Sequence, residues 1–177
     1  MRNRKGFTIV ELLMVVTVIA VLLGIVTTAA SAAMNSARSK RAGAMRNIVE
    51  GGIAVYHRQN DKWPDKIESY AESGETDNGK TKTLTPSEYD DVMQELLKNS
   101  TGAEGKNPVM DPTGLMVMRR GTADGKATPV DFRTAVTETK TLNVSEMTVV
   151  YPAGSDGKGY RFKITYNPKS DTVAVGM

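Results

Sequence analysis

Between Phe7 and Met34 the chain reads FTIVELLMVVTVIAVLLGIVTTAASAAM, and Glu11 is the sole charge in that stretch. A helix needs ~20 apolar residues to cross a hydrocarbon core, so this run is long enough to span a membrane. Basic residues flank both ends, Arg2, Arg4 and Lys5 before it and Arg38, Lys40 and Arg41 after it. The rule that positive flanks stay inside is therefore nearly balanced and does not set the orientation. A secretory signal peptide is the competing reading, with Ala30-Ser31-Ala32 as a small-x-small cleavage site and a soluble domain released beyond it. The run is much longer than the ~7–15 apolar residues of a signal peptide, and a carboxylate stands one turn into it, which argues for an anchor.

The remaining length suits one modest domain, since domains commonly run ~100–150 residues. The formal charge of +3 and the pI near 9.1 point at first to a nucleic acid or an acidic membrane surface. Position removes that reading. Without Arg2, Arg4 and Lys5, the rest of the 23 basic residues balance the 20 acidic ones, so the basicity belongs to the first residues and no nucleic-acid partner is expected. The chain has no cysteine, which excludes disulfides and thiolate metal sites.

Glu11 is costly where it stands. A carboxylate within a membrane helix costs on the order of 2.5–3.5 kcal/mol on insertion scales, and such groups are paired or functional. Together with its neighbours it forms Lys5-Gly6-Phe7-Thr8-Ile9-Val10-Glu11-Leu12. This segment resembles the cleavage and methylation motif of type IV pilin-like precursors: a short basic leader ending in glycine, then phenylalanine, then glutamate at the fifth position of the mature chain. The resemblance implies cutting between Gly6 and Phe7 by a prepilin peptidase on the cytoplasmic side, N-methylation of the new Phe7 amine, and no catalytic role for the chain itself. A residue without a side chain before the scissile bond gives close access to the backbone. The Phe7 ammonium and the Glu11 carboxylate then stand four residues apart on one helical face. The family implies that Glu11 meets the amine of a neighbouring subunit; an ion pair within one helix is the plainer alternative.

On this reading residues 1–6 are a leader, 7–34 the membrane and assembly half of a long helix, and 35–177 an α+β head of the type IV pilin-like fold, with the long helix packed on an antiparallel sheet. Met45, Ile48, Val49, Gly52, Ile53 and Tyr56 recur at helical spacing and form an apolar stripe. Asn60-Asp61-Lys62-Trp63-Pro64 ends the helix, which would reach about 80 Å at 1.5 Å per residue. Residues 71–84 read as a polar surface loop. Thr85-Pro86-Ser87-Glu88 combines an N-cap, a proline at the first helical position and a capping-box glutamate, and Tyr89, Val92, Met93, Leu96 and Leu97 follow on one face. Strands are expected at 115–118, 147–151, 160–166 and 172–175, with 132–136 a weaker candidate. In the 160–166 run Tyr160, Phe162, Ile164 and Tyr166 alternate with Arg161, Lys163 and Thr165, so the second set should face water. Asp156-Gly157-Lys158-Gly159 and Asn167-Pro168-Lys169-Ser170 would join these strands into an antiparallel meander.

Asp111-Pro112-Thr113-Gly114 resembles a segment of major pseudopilins of type II secretion, although Thr113 replaces the aromatic residue usual there. The absence of a C-terminal cysteine pair points the same way. The expected role is thus a structural subunit of a type II secretion pseudopilus or a type IV pilus. Its partners would be the prepilin peptidase and methyltransferase, other pilin-like subunits, an inner-membrane assembly platform and membrane lipid. Its place would be the bacterial inner membrane, single-pass, with the head in the periplasm or on an envelope filament. A membrane-tethered minor pilin, serving as adhesin or DNA-binding module through Arg119, Arg120, Lys126 and Arg133, is the alternative. His57, the single histidine, suits a helix end better than catalysis. No cofactor is expected; Asp77-Asn78-Gly79, Asp124-Gly125 and Asp156-Gly157 read as turns rather than calcium ligands, since none has the spacing of a calcium loop.

Overall fold

The computed structural model describes residues 8–73, 80–100, 107–138, 143–153 and 156–177. The chain divides into two compact units, Met1–Ala37 and Arg38–Met177. A single helix, α1 (Ile9–Asn60), contributes to both.

In the first unit α1 is apolar on every side and buries none of it; Leu12, Val18, Leu22 and Val26 are all more than half exposed. Its hydroxyls are satisfied locally. Thr17 donates to Met14 O (2.8 Å), Thr28 to Ile25 O (2.8 Å) and Ser31 to Thr27 O (2.9 Å), so these hydroxyls need no water. This is the one described helix long and apolar enough to cross a membrane.

In the second unit the expected stripe is realised. Ala42, Met45, Val49, Gly52, Ile53 and Tyr56 are buried, and Ile48 packs at the margin of the core. Gly52 has a packing reason: a Cβ there would stand 3.1 Å from the Met110 side chain. The helix stops where Asn60 Nδ2 turns back to Tyr56 O (2.9 Å) and Asp61 enters the left-handed region at φ 52°. A second helix, α2 (Asp65–Ser73), follows Pro64 and was not expected; it takes in residues 71–73 of the anticipated loop. The same loop also yields a short strand, β1 (Lys82–Thr83), while 74–79 lie outside the described residues. Ile67 and Tyr70 of α2 reach the core, and tertiary burial of these two residues overrides the polar composition around them.

Helix α3 (Pro86–Ser100) buries the five expected residues and Asp90 besides. Its capping box is present: Thr85 N and Oγ1 each donate to Glu88 Oε2 (2.7 Å), and Glu88 N donates to Thr85 Oγ1 (3.4 Å). Burial raises the Glu88 carboxyl, but the Tyr70 hydroxyl and the Thr85 donors outweigh it and hold the group below its ordinary range.

The strands form two antiparallel sheets rather than one meander. The four-stranded sheet runs β3 (Val130–Asp131), β2 (Met116–Arg119), β4 (Met147–Ala153), β5 (Lys158–Tyr160). The three-stranded sheet runs β1, β6 (Lys163–Asn167), β7 (Thr172–Gly176). The expected strand 160–166 is therefore broken at Arg161-Phe162, where the chain leaves one sheet and enters the other. Its alternation also fails at the break: Tyr160 is 36% exposed, whereas the Arg161 side chain is 7% exposed. The weaker strand candidate at 132–136 is instead a helical turn passing into a π turn, Thr134–Glu138, with β3 just before it. Both sheets, α3 and the second half of α1 share one core, in which Val49, Ile53, Val92, Leu96, Val117, Val149 and Ile164 are fully buried or nearly so.

Candidate functional site

The amino-terminal end of α1 holds the most specific chemistry expected of the chain. Gly6 and Phe7, the expected cleavage and methylation residues, lie outside the described residues. Glu11 is exposed in the first turn. Thr8 N and Thr8 Oγ1 both donate to Glu11 Oε2 (2.9 Å each), and Glu11 N donates to Thr8 Oγ1 at 3.3 Å. This is a second capping box, built from Thr8-Ile9-Val10-Glu11 as the first is built from Thr85-Pro86-Ser87-Glu88. Thr8 is legible in the sequence only through the spacing T-x-x-E. Both bonds fall on Oε2, and Oε1 takes part in neither. The carboxylate heads an apolar strip of Met14, Val15, Val18 and Ile19 on the same side of the helix. A charged acceptor at the end of an apolar, solvent-facing strip suits an environment that excludes water and supplies a cation.

The remaining candidates are occupied structurally. His57 stacks on Trp63 with ring centroids 3.9 Å apart, and Trp63 Nε1 donates to Asp171 Oδ1 (2.8 Å). Tyr166 Oη donates to the same oxygen (3.0 Å); burial, followed by the nearby Asp171, pushes its phenol up to about 12. Asp124 accepts from Arg161, and Asp156 Oδ1 caps its own turn by accepting from Lys158 N (3.2 Å); Asp77-Asn78-Gly79 lie outside the described residues. Among the described residues no group of three acidic or histidine side chains could hold a metal ion. Of the basic residues considered for DNA, Arg120 pairs with Asp91 and donates to Gln94 Oε1 (2.7 Å), while Arg119, Lys126 and Arg133 are exposed. A hollow of ≈ 780 Å³ beside Arg119 and Arg120 is also lined by Asp90, Asp124 and Glu146, so its charges are mixed.

Residues 1–27 match the family model described as the prokaryotic N-terminal methylation motif. This segment therefore carries a motif like that of type IV pilin-like precursors, which a prepilin peptidase processes, and it leads into the one described helix long and apolar enough to cross a membrane. Neither the curated proteins nor the solved structures contain a match to it.

Proposed function

We propose that this chain is a structural subunit of an envelope filament, the pseudopilus of a type II secretion system or a type IV pilus. The peptidase cuts after Gly6, Phe7 is N-methylated, and Glu11 receives the Phe7 ammonium of the neighbouring subunit. The observation that carries the reading is the coincidence of the methylation motif over residues 1–27 with a helix whose apolar surface is exposed on all sides. Such a surface needs lipid before assembly and other helices after it. The head is then periplasmic or displayed on the filament. Between the two filaments we favour the pseudopilus, on the likeness of the Asp111–Gly114 segment to major pseudopilins; here it forms a 3-10 turn in which the Asp111 carboxylate accepts from Thr113 N (2.9 Å).

The Thr8–Glu11 box gives the proposal a mechanism. Before assembly the carboxylate is satisfied within its own helix by the Thr8 donors. A neighbouring ammonium supplies a charge-assisted partner in surroundings without water, where such bonds are strongest. Intact-mass analysis of the chain expressed with a prepilin peptidase tests the processing step: loss of Met1–Gly6 and gain of one methyl group are expected. An uncut chain, or one cut near Ala32, would remove the assignment.

A further inference from the structure

Between Glu11 and Glu50 the chain has no acidic residue and four basic ones, Arg38, Lys40, Arg41 and Arg46. Three of these fall within four positions, beyond the apolar part of α1. With the amino terminus in the cytoplasm, as proposed above, they lie on the translocated side, where topology disfavours basic flanks. Topology therefore does not account for them.

Their place along the helix points to the headgroups. The charge of Glu11 sets the start of the hydrocarbon span, since a carboxylate is costly inside it. Counted from Leu12, ~20 residues of helix end near Ser31, and one headgroup layer of ~5–7 Å takes about four or five more at 1.5 Å per residue. Arg38, Lys40 and Arg41 follow at the outer margin of that layer, within reach of it through their long side chains.

The three do not share a face. At about 100° per residue, Arg38 is in line with the buried stripe of Ala42, Met45 and Val49, Lys40 is on the opposite side, and Arg41 lies between them. Arg38 Nη2 lies 3.8 Å from where a Cβ on Gly157 would stand. Lys40 is exposed and has no partner among the described residues. Arg41 Nη2 pairs with Asp131 Oδ1, but the two side chains are 45% and 50% exposed, so the pair contributes little and the other guanidinium donors stay available.

We propose that Arg38, Lys40 and Arg41 form a collar that binds the phosphates of anionic lipid headgroups and fixes how deep α1 sits in the membrane. A protein partner reads one face of a helix, whereas a headgroup layer surrounds it. Charge of one sign running around the helix therefore selects lipid. Lipid binding at the collar requires only the span and orientation proposed above, so it stands or falls apart from cleavage and filament assembly.

The test uses the full-length chain in detergent micelles doped with phosphatidylglycerol or, separately, with phosphatidylcholine. An amine-reactive reagent followed by peptide mass spectrometry reads Lys40 apart from Lys5, with the exposed Lys169 of the head as control. Each basic residue near an anionic surface strengthens binding about fivefold, so Lys40 should label about fivefold more slowly with phosphatidylglycerol, and Lys169 equally in both. Arg41→Gln should remove most of that protection. Asp131→Asn, which frees the Arg41 guanidinium, should increase it; a decrease would mean that Arg41 serves Asp131 rather than lipid. Raising salt to about 1 M, where charges are screened beyond ~3 Å, should erase the protection, and protection that persists would rule out a contact made by charge. Equal labelling of Lys40 in the two micelles overturns the collar. Protection by inorganic phosphate in phosphatidylcholine micelles would make it a site for a free anion instead, and protection that grows there with protein concentration would make it a contact between copies of the chain.

Discussion

The two halves of α1 are one helix by backbone and two by environment. Up to Ala37 its large apolar side chains are exposed in every direction, while from Ala42 onward one stripe, Ala42, Met45, Val49, Ile53 and Tyr56, is buried. The same contrast holds for the two capping boxes. Thr8–Glu11 and Thr85–Glu88 have the same spacing and the same bonds, yet Glu88 also meets Tyr70 and closes a packed helix end, whereas Glu11 sits at an exposed one. The lesson is that helix formation is a local matter, and what a helix is for depends on whether its own chain covers it.

The sharpest way to break this comparison is Glu11→Val. Removing the carboxylate should leave membrane insertion intact or improved, since the costly charge is gone. Assembly should fail, because an amine brought into an apolar core without its partner forfeits ~3–5 kcal/mol. Comparing processed subunit in membranes with subunit in sheared filaments decides it; normal filament yield would return Glu11 to a purely capping role.

Core truncation should separate the halves cleanly. Ile53→Ala creates a cavity and is expected to destabilise the head by ~2–5 kcal/mol. Ile19→Ala, on the uncovered half, should leave the denaturant midpoint of the head where it was. Equal effects from the two would mean that the amino-terminal half belongs to the head's cooperative unit after all.

Acid should likewise act on the head. Burial raises the Asp90 carboxyl, but the Arg161 guanidinium and the Gly121 amide outweigh burial and hold it below its ordinary range. A group whose folded value is depressed contributes stability that is present above its unfolded value and is lost as pH falls through the folded one. Thermal midpoints should therefore decline with acidification below the usual carboxylate range. In Asp90→Asn the midpoint should be lower at neutral pH and the acid slope shallower; an unaltered slope would show that other groups carry the acid lability.

The finest comparison is between adjacent glycines of the second half. Gly51 is exposed with open space where a Cβ would go, whereas Gly52 meets Met110. Gly51→Ala should stabilise the head by about 0.5–1 kcal/mol from helix propensity alone. Gly52→Ala should gain less or lose outright as Met110 is displaced. Paired thermal melts of the two variants check the sign.

What the sequence by itself determined is what is local. The apolar run and Glu11, the stripe from Met45 to Tyr56, the stop before Pro64 and the cap and buried face of α3 are all written within a few helical turns of chain, where spacing maps directly onto a helix face. Thr8 belongs to that legible class, through its spacing to Glu11. Tertiary structure decided the rest. The alternation from Tyr160 to Tyr166 suits one strand as well as two, and nothing local marks Arg161 as the break or as a buried residue. Its partner Asp90 stands 71 positions away in the chain. Likewise Lys82 and Thr83 become a strand only because Tyr166 and Thr165 lie opposite them. Pairing between distant segments chooses among local patterns of nearly equal merit, and that choice is made by the packed core, which no short window of sequence contains.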